Sequence, residues 1–210
     1  MSKPDPPSPL DLLRDPRAAV DTGLGPLTFV IVNAIAGLHA AAAAAVGVSV
    51  VLMIERLIRR RPVINAMGGL FGTGLAAFIA LRSGRPEGYF VPRMLYQAAL
   101  AIVFAGSVLV RKPLVGFIIG ALQRAEPGWT DLPPVRRTMA ELTLAWALLF
   151  GVRAAVYAVL IASGKVGLLA AASIVMGWPA FGLLLFGSYR YGPMRLEQLG
   201  APPPRPVETP

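Results

Sequence analysis

The sequence predicts an all-α, polytopic transmembrane helical bundle of about six spans plus one short interfacial or re-entrant helix. Three observations carry that expectation. Of 210 residues, 55% are hydrophobic, and the mean hydropathy is +0.62. The apolar residues fall in blocks close to the ~20 residues that cover a ~30 Å hydrocarbon core at ~1.5 Å rise. The charge of +9 is gathered into basic, proline-containing clusters at the block ends. There it meets anionic headgroups, so the excess of positive charge indicates a lipid bilayer and not nucleic acid.

Taken in order, residues 1–23 hold MSKPDPPSP and RDPR and read as a proline-rich cytoplasmic tail, with one short helix started by Ser8 and Pro9. Residues 24–194 form the bundle. The runs 24–38 and 40–57 are separated by Gly37, Leu38 and His39, which reads as a tight helical hairpin. ERLIRRRP follows, with Glu55 four residues before Arg59 in the favourable order for a helical ion pair, and Pro62 opens the next helix. Within 63–81, MGGLFGTGLAA puts Gly68, Gly72 and Ala76 on one helical face, where small residues let a neighbouring helix approach. Gly72, Gly74 and Ala77 also mimic a dinucleotide fingerprint, but no strand precedes them and the surroundings are apolar.

SGRPEGYFVPR, at 83–93, reads as a polar turn whose aromatics suit the membrane interface. The span 94–110 is closed by Arg111, Lys112 and Pro113. VGFIIGALQ is then too short to cross and reads as the interfacial or re-entrant helix. RAEPGWTDLPPVRR is a loop that places Trp129 near headgroups. Residues 138–161 form the central span, interrupted only by Arg153. SGKVG makes a short turn, and 167–186 is the last span, kinked at MGWP. Gly177 loosens that helix, and Pro179 lacks an amide hydrogen and crowds the carbonyl of Val175. Residues 195–210 read as a second proline-rich cytoplasmic tail.

With six spans, fifteen of the twenty Lys and Arg residues lie on the amino-terminal side and four on the other, with Arg153 inside. That asymmetry places the protein in the cytoplasmic membrane as a multi-pass chain with both termini in the cytoplasm.

The side chains available for chemistry are few. Cysteine is absent, which excludes disulfides, thiolate metal sites and cysteine nucleophiles, and His39 is the single histidine. Zincin, nucleophile-elbow and P-loop patterns are missing, so no metal site, no cofactor and no catalytic set is expected. Glu55 and Glu141 lie close to the cytoplasmic boundary, and local pairing with Arg59 and Arg137 explains them. Arg153 stands out, because charge at bilayer depth is costly and turns toward protein or water. Asn33 and Gln97 fall at similar depth, and Tyr157 lies one turn above Arg153 on the same face. The expectation is that Asn33, Gln97, Arg153 and Tyr157 line one outward-facing polar pocket.

TGLGPLTFVIVNAIAGLHAA, IERLIRRRPVINAMGGLFG, LRSGRPEGYFVPRMLYQAA, VRKPLVGFIIG, LAWALLFGVRAAVYAVL and VMGWPAFGL together resemble an uncharacterised family of actinobacterial integral membrane proteins, domain of unknown function 3159, over about residues 20–190. The segments at Lys112 to Leu114 and at Leu144 to Phe150 are also similar to parts of the intracellular septation protein A family. That likeness implies an inner-membrane role in envelope maintenance. The first functional expectation is therefore a non-enzymatic bundle with an envelope-associated or scaffolding role, its partners being the bilayer, a second copy of the chain or envelope proteins. The second is a small transporter or channel for an anionic solute or lipid headgroup, built around Arg153.

Overall fold

A computed structural model describes residues 16–58, 64–123, 125–126 and 128–201. Among these residues the chain forms seven α-helices: α1 Pro16–Ile58, α2 Ile64–Ser83, α3 Val91–Leu109, α4 Leu114–Leu122, α5 Pro133–Ala162, α6 Val166–Val175 and α7 Trp178–Gln198. Two short 3-10 helices, Pro86–Phe90 and Trp129–Asp131, lie before α3 and α5.

Four stretches are long and apolar enough to cross a membrane: Leu24–Ile58, Pro86–Leu109, Pro133–Ala162 and Val166–Gln198; Met67–Ser83 is a shorter apolar helix. Large apolar side chains such as Ile35, Phe71, Ile102, Leu148 and Leu183 are exposed along α1, α2, α3, α5 and α7. In water such an exterior would be an aggregation hazard, whereas in lipid it costs nothing. These features mark a helical membrane protein.

Two breaks fall where the sequence places them. The 35 residues of Leu24–Ile58 would extend about 52 Å as one rod, far more than a ~30 Å core. The helix kinks instead at Gly37, whose φ of 81° and ψ of 178° belong to a region open essentially to glycine. At MGWP the expected kink is a full break. α6 ends at Val175, Met176 and Gly177 turn, and Pro179 falls in the first turn of α7, where a missing amide hydrogen is harmless. A Cβ on Gly177 would lie 2.5 Å from the Ser173 carbonyl oxygen, so this turn needs glycine.

Both bundle boundaries move outward. α1 begins at Pro16, so residues 16–23 are helical; Pro16 suits a first helical position, and Arg17, Ala18 and Ala19 after it are good helix formers. α7 runs to Gln198, past the expected boundary at 195. Leu196 and Ala201 pack on a buried cluster, and the Ala201 amide donates to the Leu196 carbonyl at 2.9 Å to close the helix end. The start signal at Ser8 and Pro9, the Glu55–Arg59 pair and Pro62 involve residues outside those described.

The chain divides into two compact units, one from Met1–Pro92 and Tyr157–Pro179, the other from Arg93–Val156 and Ala180–Pro210. In the first, α1 packs with α2 and α6, and the 3-10 helix Pro86–Phe90 packs on α2 and α6. Tyr89 stacks on Phe29 with ring centroids 4.1 Å apart. Tyr89 and Phe90 are thus buried, not set at the interface as expected of this turn. Gly88 makes that approach feasible, since a Cβ there would lie 3.1 Å from the Ala80 Cα.

The small-residue face of α2 also differs from expectation. Ala76 is buried, but Gly68 and Gly72 are exposed, and a Cβ at either meets nothing within 4 Å. The residues buried are one turn further on: Ala76, Ala77 and Ala80 on α2, with Ala41, Ala42 and Ala45 on α1. Alanines at these spacings are small enough for two helices to pack closely, at a lower entropic cost than glycine.

In the second unit Val115, Trp129, Val135, Met139, Leu142, Trp146 and Phe150 form the buried cluster. Trp129, expected near headgroups, is inside it. The 3-10 turn of Trp129–Asp131 directs the indole inward, and Thr130 beside it faces the glycine side of α4.

Candidate polar site

On α5, Leu142, Trp146, Phe150, Arg153 and Tyr157 recur at helical spacing, and all five are buried. The stripe that carries the aromatic core therefore also turns Arg153 inward, leaving it 5% exposed. It does not face lipid, as its charge requires. The aromatic part of the stripe is anchored on both sides. The Phe150 ring meets Phe104 edge-on at 5.3 Å, and Trp146 meets Phe181 at 4.9 Å and donates its indole N–H to the Ser188 hydroxyl at 3.2 Å.

Gln97 lies on α3 in the same unit and is 7% exposed, with a buried Oε1 that accepts no hydrogen bond. Its level relative to Arg153 follows from register. Phe104 meets Phe150, Ala101 lies 3.9 Å from a Cβ built on Gly151, and Ser107 and Thr143 both bond the start of α4. As numbers fall along α3 they rise along α5, so the two helices are antiparallel. Four residues from Ala101 to Gln97 and two from Gly151 to Arg153 then differ by about 3 Å along the axes. The two polar side chains are level, yet Arg153 does not donate to the Gln97 oxygen.

The other two residues of the expected pocket belong to the first unit. Asn33 is half-buried on α1. Tyr157 is buried, and its hydroxyl donates to the Ser173 hydroxyl at 3.2 Å, which in turn donates to the Leu169 carbonyl at 2.8 Å. The Tyr157 hydroxyl thus commits its proton to α6. Ser173 was not anticipated. Its one signal was its place as a lone hydroxyl in the apolar run of the last span.

Glu141 makes the local pair foreseen for it, 3.4 Å from Arg137 Nε. It also accepts the Tyr191 hydroxyl at 2.8 Å and lies 3.4 Å from Arg195 Nε. That second arginine pairs by charge alone, since its Nε–H is aimed at no acceptor. These groups are partly exposed, so the cluster ties α5 to α7 at their polar ends with a net gain of about 1 kcal/mol or less per ion pair. His39 is exposed. Among the described residues no three His, Cys, Asp or Glu side chains are grouped to hold a metal ion.

α4 supplies a packing face that sequence reasoning passed over. Gly116 and Gly120 are one turn apart; a Cβ on Gly116 would lie 3.0 Å from Met139 Cγ, and one on Gly120 3.6 Å from Thr130 Cγ2. The spacing GFIIG was the available signal, matching that of Gly68 and Gly72. The first amides of α4 are met by side chains of its neighbours: Leu114 N–H donates to Ser107 Oγ at 3.2 Å and Val115 N–H to Thr143 Oγ1 at 3.2 Å.

A family model described as a protein of unknown function, DUF3159, matches residues 15–191. No curated protein and no solved structure matches the chain.

Proposed function

We propose, for a chain that belongs to the DUF3159 family of proteins of unknown function, a non-enzymatic role as an envelope-associated scaffold in the cytoplasmic membrane. The observation that supports this best is how the buried polar side chains are spent. Thr138, Thr143 and Ser173 each donate to the carbonyl four residues earlier on their own helix. Thr143 also accepts from α4, and Ser173 accepts from Tyr157. The bonds that Thr143 and Ser173 accept fasten helix to helix, and the exterior is left apolar for lipid or partner proteins. In this reading the kink at Gly37 divides the first stretch into two of the six spans, the break at Met176 and Gly177 lies inside the last of them, α4 stays at the cytoplasmic edge, and both termini are cytoplasmic. Envelope proteins or a second copy are the partners, and anionic lipids lie at the basic cytoplasmic loops.

The rival reading is a small transporter or channel for an anionic solute or lipid headgroup around Arg153. It has the buried Arg153 guanidinium in its favour, whereas the Tyr157 hydroxyl commits its proton to Ser173. One experiment separates the two. The full chain in liposomes should move neither ions nor small anionic solutes, while cross-linking in cells should retain envelope-synthesis proteins. Anion flux abolished by Arg153→Gln would establish the rival. Reporter fusions at both termini should be active only in the cytoplasm, and an external amino terminus would refute the topology.

A further inference from the structure

The turn that closes α3 is built in a way that points to a ligand. Arg111 N–H donates to the Val108 carbonyl at 2.9 Å, and Lys112 N–H donates to the Ser107 carbonyl at 2.9 Å. This is the pairing that ends a helix with a left-handed residue, a place normally held by glycine. The chain does use glycine with positive φ just after α2, α5 and α7, at Gly84, Gly164 and Gly200. After α3 the residue is Arg111, at φ 59°, which among the described residues is the only non-glycine with positive φ. An arginine there is held against backbone preference, which directs attention to its side chain.

That side chain is exposed, as is Lys112, and among the described residues neither makes an ion pair. Apolar side chains flank the basic pair on both sides. Leu109 and Val110 precede it at 84% and 68% exposure, and Phe117 and Leu122 of α4 follow at 73% and 70%. With 9 residues, α4 extends about 13 Å and cannot cross. Its inward face is taken by Met139 and Thr130, so the phenylalanine and leucine have only the exterior to meet. The N-terminus of α4 is not the attractor, because Ser107 and Thr143 already occupy its first amides.

We propose that this edge binds an anionic phospholipid of the inner leaflet. Arg111 and Lys112 take the lipid phosphate, and Leu109, Val110, Phe117 and Leu122 seat its acyl chains. The pattern is a pair of cations with exposed apolar side chains on either side, which is complementary to an anionic lipid. The inference rests on the cytoplasmic orientation proposed above and adds to it a defined site, with a reason why Arg111 stands where glycine would be cheaper.

The test uses the purified full chain in neutral detergent, titrated with phosphatidylglycerol or phosphatidylcholine, with thermal unfolding and native mass spectrometry as readouts. Phosphatidylglycerol should stabilise the protein and remain bound, and phosphatidylcholine and inorganic phosphate should not. Lys112→Ala should weaken phosphatidylglycerol binding about fivefold, the worth of one cation near an anionic surface. Arg111→Gly should weaken it by a similar factor while raising the lipid-free melting temperature by about 2–4 °C, through relief of the left-handed conformation. Arg111→Lys should keep most of the preference. Equal stabilisation by both lipids, substitution by free phosphate, or a lipid-insensitive dimer that covers the edge would each overturn the proposal. So would Arg111→Gly with unchanged lipid binding. A cysteine at position 112 labelled only from outside would overturn the orientation instead, whatever the lipid preference measured.

Discussion

Thr143→Val isolates the bond that holds α4 in place. Thr143 is fully buried on α5; its hydroxyl donates to the Met139 carbonyl at 2.6 Å and accepts the Val115 amide at 3.2 Å. Valine fills nearly the same space, so no cavity opens. The Met139 carbonyl keeps its helical backbone bond, but the buried Val115 N–H is left with no acceptor. An orphaned buried donor costs about 1–3 kcal/mol. At roughly 2–4 °C per kcal/mol for a chain of this size, the melting temperature should fall by about 4–8 °C for a mid-range loss. Differential scanning fluorimetry in detergent measures the shift, and hydrogen exchange of a peptide covering residues 114–118 should show faster exchange confined to the start of α4. Thr143→Ser retains the oxygen and should restore most of the protection. If Thr143→Val melts as the wild type does and exchanges no faster at α4, the hydroxyl does not hold this helix and the reasoning fails.

Gly88→Ala should lower stability by about 1–3 kcal/mol, because its Cβ would lie 2.6 Å from Ser83 Oγ and 3.1 Å from the Ala80 Cα, and the second of these is backbone. A melting temperature equal to the wild type would show that the 3-10 helix Pro86–Phe90 is not seated as described. Gly72→Leu should not destabilise the single chain, since nothing lies within 4 Å of a Cβ there, and should gain up to about 1 kcal/mol of helix propensity. A marked loss, read by scanning fluorimetry beside light scattering, would mean that another copy or partner covers this face. Ser173→Ala removes the acceptor of the buried Tyr157 hydroxyl and should cost about 1–3 kcal/mol. Tyr157→Phe should add little on top of it, and a double-mutant cycle with additive losses would contradict the pairing.

The sequence by itself determined the class of the protein and most of its punctuation. Apolar block length, the basic clusters at block ends, Gly37, the SGKVG turn and the MGWP interruption are local signals, legible in any short window because backbone geometry and transfer free energy act residue by residue. The Arg137–Glu141 pair was legible for the same reason, as both partners lie on one turn of one helix. Arg153 could be read as inward-facing from cost alone. Its surroundings could not, because helices that are apolar on nearly every side do not say which side meets a neighbour. Only the tertiary structure decided that Ala76, Ala77 and Ala80 are buried while Gly68 and Gly72 are not, that Tyr89 and Trp129 are core and not interface, and that Tyr157 bonds Ser173. In a membrane both lipid and protein accept apolar side chains, so hydrophobicity no longer separates inside from outside. The choice passes to close packing and buried hydrogen bonds, which depend on residues far apart in the chain.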